Sequence, residues 1–383
     1  MTKRVTETAI PVVIDRNFPI EMFADTLRAL EASGVVDTIQ MWDQMTGWNP
    51  RCLWTPDKLP MAKVIPDLDS FADWFPMVGY GAAVAPKLNS VISVDSLRRG
   101  PAELTQTLMT MANITKGKFT AHIGAGELKQ VQPFGWDVKQ KMGRLEDFYK
   151  VFDAFRSNNK TPIDYQGKFT KLDQAWLGVA RNYTAKIWGL GGGPKIVDLS
   201  TSYADGFATM GVMVWSSPEH AAEEIGKMKA KLVEKGRDPD QFGFGAYFPS
   251  VLHEDANVID RALDQDLSRW HATIWGRINQ GDWEKEGLPA PMGKDWHYAN
   301  NLLPTRIGEA EAREMISRST RQHVEKSYLY GSPQQVAKKI QAFVDVGVTW
   351  IGVIDVMPAL IKPEEAPAAM QRSIDVCKYL KQA

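Results

Sequence analysis

The 383-residue chain is poor in cysteine. Cys52 and Cys377 are its only two, far apart in sequence. That number and spacing supply neither a disulfide framework nor a metal-ligand cluster, and no metal site is expected. Net charge is also small, −1 from 45 basic and 46 acidic residues. The balance gives no electrostatic case for nucleic acid or for an anionic membrane surface. No apolar run approaches the length that spans a bilayer. The N-terminal MTKRVTETAIPVVID has two basic residues but no apolar core with a small-residue cleavage site, so a cytoplasmic location is expected. Several catalytic signatures are missing too. No pair of histidines has HExxH spacing, no GxSxG elbow occurs, and no glycine fingerprint follows the first strand pattern, VIDRNFP.

What remains is ordinary globular composition, 44% hydrophobic and 24% charged, with a surplus of 13 Trp and 16 Met. Trp42, Trp48, Trp54 and Trp74 crowd the first quarter of the chain, which suits a lined apolar pocket as well as a core. Short β-branched runs alternate with helical patterns. Strands are expected at 9–15, 35–43, 88–96, 118–127, 184–190, 205–210, 242–248 and 348–355. Helices are expected at 20–34, 70–85, 101–115, 143–158, 194–203, 218–236 and 332–347. Pro101 and Pro194 stand at first helical positions, and Ser332 is an N-cap. A Gly between two alternating arms marks a hairpin at 163–173.

Eight alternations argue for parallel strands with crossover helices and so for a (β/α)8 TIM barrel. The open doubly wound sheet is the competitor, and its glycine fingerprint is missing. Residues 249–330 are too long for one loop and carry helical patches. They read as a helical insertion over the C-terminal mouth of a single domain, 1–383.

In such a barrel the chemistry sits at the C-terminal strand ends. The second strand delivers Asp43, Gln44 and Trp48. The third delivers Ser93, Val94 and Asp95, followed by Arg98 and Arg99. The fourth ends in GAGE, with Gly126 and Glu127. The fifth ends in GLGGGPK, where Gly191, Gly192 and Gly193 let backbone approach a ligand. Pro194 there starts a helix whose N-terminus favours phosphate, and Lys195 adds charge. A flexible turn is the plain alternative. His122 falls inside the fourth strand, where a buried, satisfied histidine is the expectation, and His220 at a helix start is expected to be solvated.

These pieces occur together in a familiar order. The strand-end Asp, RRGPAELTQ, GAGE…PFG, GGGP…YADGF and GSPQQVAKKIQAFVDVGV resemble the luciferase-like monooxygenase superfamily from end to end. Within it the chain most resembles the branch that uses the deazaflavin coenzyme F420. RCLWTPDKLPMAKVIPDLDSF, PFGWD and PMGKDW look closest to the mycobacterial phthiodiolone ketoreductase and hydroxymycolate dehydrogenase type. The resemblance implies a barrel, a homodimer, and a cofactor ring at the strand ends. It implies a cis peptide around Ile92 to Val94, phosphate on Gly192 and Gly193, and Asp43, Gln44, Trp48 and Glu127 at the site.

Two departures matter. The family histidine is Gln44, which cannot exchange a proton near neutral pH. That step would fall to Glu127, Asp43, water or His122. A lysine-rich sugar-phosphate region is replaced by apolar TMGVMVW at 209–215, which disfavours a phosphosugar. The expectation is therefore an F420-dependent oxidoreductase exchanging hydride with a carbonyl or alcohol carbon of a small apolar substrate. An FMN-dependent monooxygenase and a non-catalytic flavin- or lipid-binding barrel are the alternatives.

Overall fold

The computed structural model describes residues 7–13, 15–158, 160–179 and 182–383. Strands β1 (Glu7–Pro11), β2 (Thr38–Trp42), β3 (Asn89–Asp95) and β4 (Phe119–Gly124) come first. A hairpin of β5 (Ile163–Gln166) and β6 (Lys171–Ala175) follows. Then come β7 (Lys186–Leu190), β8 (Gly206–Met210), β9 (Gly243–Leu252), β10 (Leu329–Gly331) and β11 (Trp350–Asp355). The order β1-β2-β3-β4-β7-β8-β9-β11 closes back on β1 with every pair parallel, a (β/α)8 TIM barrel. The strands are buried on both faces, as parallel strands under a layer of helices must be. The hairpin is antiparallel and lies outside the barrel sheet.

All eight expected barrel strands are present, with shifted ends. The first ends at Pro11 rather than at residue 15, and Ile14 lies outside the described residues. The seventh runs on to Leu252. Its outer end pairs with β10, a three-residue strand too short to show a period in the sequence. The second helix starts at Trp74 instead of residue 70, because the Asp73 side chain accepts from the Phe75 N–H and caps it there. The helix Pro333–Asp345 carries the expected cap, with Ser332 and Gln335 bonding each other's backbone N–H. The cis peptide expected near Ile92 is absent, as no cis bond occurs among the described residues. β3 instead stays in unbroken register, Ile92 on Ala121, Ser93 on His122 and Val94 on Ile123.

Side chains fill the barrel in a layer of Ala9, Val91, Ala208, Tyr247 and Trp350, with Trp188 against them. Glycine makes room for the indole. A Cβ at Gly243 would lie 2.2 Å from the Trp188 ring. The polar groups of this layer form one chain. Gln40 Nε2 donates to Ser93 Oγ at 3.3 Å, Ser93 Oγ meets the Tyr247 hydroxyl at 3.0 Å, and that hydroxyl meets His122 Nδ1 at 2.6 Å.

Between β9 and β10 the chain makes the helices Ala256–Asp264, Asp266–Trp275, Glu309–Ser317 and Arg321–Ser327, with one-turn pieces at Asp282–Lys285 and Tyr298–Asn301. Leu267, Trp270, Ile274 and Leu302 of this segment pack on Leu53, Trp54 and Met61, which follow β2. Among the described residues no helix is long and apolar enough to cross a membrane.

Candidate active site

The site grows from the ends of β2, β3 and β4. Asp43 continues β2, its N–H donating to the Ser93 carbonyl at 2.9 Å. Arg98 bridges two strand ends. One amino group donates to Asp43 Oδ2 at 3.0 Å and to the Asp43 carbonyl, while Nε donates to Asp95 Oδ2. Asp95 Oδ1 accepts from the N–H groups of Leu97 and Arg98, which fixes the turn that carries the arginine. The three side chains are 6 to 8% exposed. Burial raises the Asp43 carboxyl above its ordinary range, against the pull of Arg98 and Arg99. Asp43 is one of the proton carriers expected from the sequence. Its Oδ2 is instead committed to Arg98, with Arg99 3.7 Å away.

Gln44 follows, buried, with Oε1 lacking any protein partner. The backbone next to it is clamped from the one-turn helix Leu128–Val131 that follows β4. Gln130 Oε1 accepts from Met45 and Thr46 N–H at 2.8 and 3.3 Å, and Gln130 Nε2 donates to the Thr46 carbonyl at 3.1 Å. Gly47 N–H donates to Asp69 Oδ1 at 2.6 Å. This fixed loop presents Trp48, which donates from Nε1 to Glu127 Oε2 at 3.1 Å. Trp48 also meets Trp42 edge-on at 6.5 Å and Trp275 of the inserted segment at 5.9 Å.

Glu127 therefore lies at the centre of a small constellation. Lys129 Nζ reaches the same Oε2 at 3.0 Å, donates to the Thr46 carbonyl at 2.6 Å and sits 4.5 Å above the Trp48 ring. Burial pushes this ammonium below the usual lysine range, while Glu127 pulls it up. Tyr298, from the segment between β9 and β10, packs against the apolar cluster that includes Trp48. Its enclosure and then the Glu127 charge hold the phenol well above the usual tyrosine range.

The structure brings Asp43, Gln44, Trp48, Gly126 and Glu127 together and separates other expected site residues. At Gly126 the backbone φ is +94°, and a Cβ would touch Asp95. The Ser93 hydroxyl is consumed inside the barrel by Gln40 and Tyr247. The Val94 side chain faces outward into the core, so it can offer only backbone. The glycine turn is open. Gly191 has φ +153°, Gly192 and Gly193 are exposed, and nothing lies within 4 Å of a Cβ built at Gly193. No side chain caps the helix Pro194–Tyr203 that follows. Lys195, expected to lend it charge, pairs with Glu146 at 2.8 Å.

His122 is fully buried, stacked on Trp188 and held near a pKa of about 3 by burial. It is a neutral interior histidine, buried as expected but only half satisfied, since Nδ1 meets the Tyr247 hydroxyl and Nε2 has no partner. His220 is half-buried at its helix start rather than freely solvated. Neither Lys129 nor Tyr298 carries a local sequence signal, and Arg98 carries none beyond its charge after the third strand. A cavity of about 650 Å³ lies elsewhere, beside β10, lined by Ile259, Leu263, Arg321, Tyr330 and Lys339. Its arginine is already paired with Asp260, Asp264 and Glu325.

Strand-end carboxylates, an indole wall and an open glycine turn gather at the C-terminal mouth of the (β/α)8 barrel, and comparison with known proteins gives the family. The family model described as luciferase-like monooxygenase matches residues 52–349, and the chain belongs to that family. A phthiodiolone/phenolphthiodiolone dimycocerosates ketoreductase of Mycobacterium sp. (strain JLS) is 26% identical over 289 residues, 74% of each chain. An F420-dependent secondary alcohol dehydrogenase solved with an F420-acetone adduct superposes with TM-score 0.69 at 17% identity, covering 98% of both chains. A riboflavin lyase solved with modified FMN and riboflavin superposes with TM-score 0.65 at 13% identity, covering 98% of this chain and 92% of that one. The fold is thus shared by deazaflavin- and FMN-containing proteins.

Proposed function

We propose that the protein is an F420-dependent oxidoreductase that moves a hydride between the deazaflavin and a carbonyl or alcohol carbon of an apolar substrate. The observation that carries this reading is the Glu127 carboxylate, pinned through one oxygen by Trp48 and Lys129 beside the buried Gln44. The ketoreductase relative and the alcohol dehydrogenase neighbour support the same chemistry.

The residues present fit such a cofactor. Gln44 Oε1 is a buried acceptor without a protein donor, and each such atom calls for a partner. The uncapped helix start at Gly193, with open space in front of it, suits a phosphate. Asp43, Gly126 and the backbone at Val94 line the adjoining strand ends. When bound, the deazaflavin accepts or donates hydride and does not activate oxygen as a flavin does.

The chain's own residues then divide the work. Trp42, Trp48 and Trp275 wall the mouth and suit an apolar substrate. Arg98 holds the Asp43–Gln44 turn so that Gln44 can orient the substrate oxygen. Glu127 is the terminus for the proton that leaves or joins that oxygen.

Fluorescence-quenching titrations with F420 and with FMN test the reading. Tighter F420 binding is expected. Tight FMN binding without F420 binding would overturn it in favour of the two-component monooxygenase, and binding without any turnover would favour a carrier barrel.

A further inference from the structure

Lys129 stands two residues beyond Glu127, on the one-turn helix Leu128–Val131, yet it is only 1% exposed. An ammonium buried in this way is costly and needs close partners. It has three. Nζ donates to the Thr46 carbonyl at 2.6 Å, lies 3.0 Å from Glu127 Oε2 and sits 4.5 Å above the Trp48 ring. Each neighbour is an acceptor or an electron-rich face, which suits a cation. The indole closes the arrangement, since Trp48 Nε1 donates to the same Oε2 at 3.1 Å. One side chain thus touches the turn after β2, the indole wall and the carboxylate after β4.

Other titratable groups face the pair without taking its place. Asp69 and Arg98 feel the Lys129 charge, and Arg98, Lys141, His297 and Tyr298 feel that of Glu127. Asp69 accepts from the Gly47 N–H at 2.6 Å, and Arg98 is committed to Asp43 and Asp95. Lys141 bonds the Ala299 carbonyl at 3.4 Å and Asn300 Oδ1, while His297 accepts from the Ala299 N–H at 3.2 Å. Of the ion pairs among the described residues, Glu127 makes one, with Lys129. Resting on the oxidoreductase reading above, we propose that Lys129 is a positioning residue, which holds Glu127 Oε2 in place and keeps the carboxylate ionised to receive the substrate proton.

In alcohol oxidation the carbinol carbon gives its hydride to the bound deazaflavin, and the O–H proton passes to the Glu127 carboxylate. A carbonyl, a reduced cofactor and a carboxylic acid result, and ketone reduction runs the same transfers in reverse. Gln44 cannot exchange a proton, so the charge on Glu127 is what the site must set. The carboxylate has to be ionised to accept, and oxidation fails once the pH is low enough to protonate it beforehand. An adjacent cation favours the ionised form, and its removal moves that failure to higher pH. The support is mutual. Burial presses the Lys129 ammonium toward its neutral form, and Glu127 opposes that.

The test uses the full chain loaded with F420 and the apolar probes 2-octanol and 2-octanone. Lys129→Met and Lys129→Gln delete the charge, and the glutamine keeps a donor for the Thr46 carbonyl. In both, the acidic limb of kcat/KM for 2-octanol oxidation should move up by about one pH unit or more, while F420 affinity stays near the wild-type value. Lys129→Arg should hold the limb close to wild type. A staple that only braces the turn would lower the melting temperature and leave the limb unmoved, and that result overturns the inference while the oxidoreductase reading stands. A limb that survives in Glu127→Gln also overturns it, since the limb would belong to another group. A second readout needs neither turnover nor an uncharged variant at Lys129. In 15N-lysine-labelled protein, the Lys129 ammonium is the signal missing from Lys129→Arg, and it should titrate at lower pH in Glu127→Gln. An unmoved titration overturns the pairing at its geometric root. If the wild type is inert toward both probes while the titration shift holds, the functional reading fails and the positioning role falls with it, although the pair is real.

Discussion

Arg98 is the residue whose loss should be felt most widely. Arg98→Met keeps the aliphatic stem and deletes the cation between Asp43 and Asp95. Both carboxylates are about as buried as the arginine, with side-chain exposures of 6 and 7%. Breaking a buried pair by removing one partner costs about 3–5 kcal/mol, because an uncompensated charge stays behind. Unfolding entropy near 60 °C is about 2.1 cal/mol/K per residue, or roughly 0.8 kcal/mol/K for a chain of this length. The melting temperature should therefore drop by about 4–6 °C.

The sign with pH is fixed by Asp43. Burial already raises its carboxyl above the unfolded value, and removing Arg98 raises it further. For an acid with a raised folded value, stability from that group is full below the unfolded value of about 4 and is lost as pH rises through the folded value. The deficit of Arg98→Met should accordingly be largest near pH 8 and shrink toward pH 5. Arg98→Lys should recover little, since one ammonium cannot reproduce the fork that spans both carboxylates. Scanning calorimetry of wild type and both variants across pH 5–8 decides the matter. A shift under about 1 °C, or one independent of pH, would show that the bridge contributes nothing and that the Asp43–Gln44 turn is held by its backbone alone.

Gly193→Asp should raise the F420 dissociation constant by at least about tenfold, as a carboxylate would face the phosphate at the helix start. The melting temperature should barely move, since nothing lies within 4 Å of the added Cβ. Equal affinity in the folded variant would reduce the glycine run to a plain turn. Glu127→Gln should lower turnover by about 10²- to 10⁴-fold with cofactor binding retained, and full activity would remove the carboxylate from the chemistry. Gln44→His should add a kinetic pH dependence near the histidine value of about 6.5, and a flat profile would place that position away from the substrate. His122 and His271 are both held down to about 3 by burial, so only the unfolded chain takes up their protons below about 6.5. Stability should fall from there as pH drops toward 3, by up to about 1.4 kcal/mol per pH unit for each. Urea midpoints at pH 7 and 5 that coincide would contradict the buried neutral state.

The barrel was legible because each strand is a short apolar run bounded by a helix with its own start and stop signals, and those signals are local. β10 escaped because three residues show no period. Asp43, Trp48 and Glu127 could be read because strand ends are where such a barrel places its chemistry. Arg98 stood in plain view after the third strand, yet nothing local shows that it bridges two strands 55 and 3 residues away. Lys129 looks like any lysine two residues from an acid. Only the closing of the 43–48 turn over it makes it buried. The Glu127 charge acts on Tyr298 across 171 residues of chain, a proximity that no spacing encodes. Lys195 is the opposite case. Its charge was visible, but Glu146 on the neighbouring helix was not.

The short strand β10 has a further consequence. It lies directly beside the last turn of β9, Leu329 against Ser250 and Gly331 against Leu252, and His253 N–H closes the stem on the Gly331 carbonyl at 3.2 Å. The chain thus departs for residues 253–328 and comes home one strand spacing away, about 4.8 Å. A segment with such adjoining ends can be exchanged without stretching the barrel, which makes it a natural cassette for recombination between relatives. It would not travel alone. Its apolar underside interlocks with Leu53, Trp54 and Met61, so a working chimaera must transplant the stretch after β2 together with it.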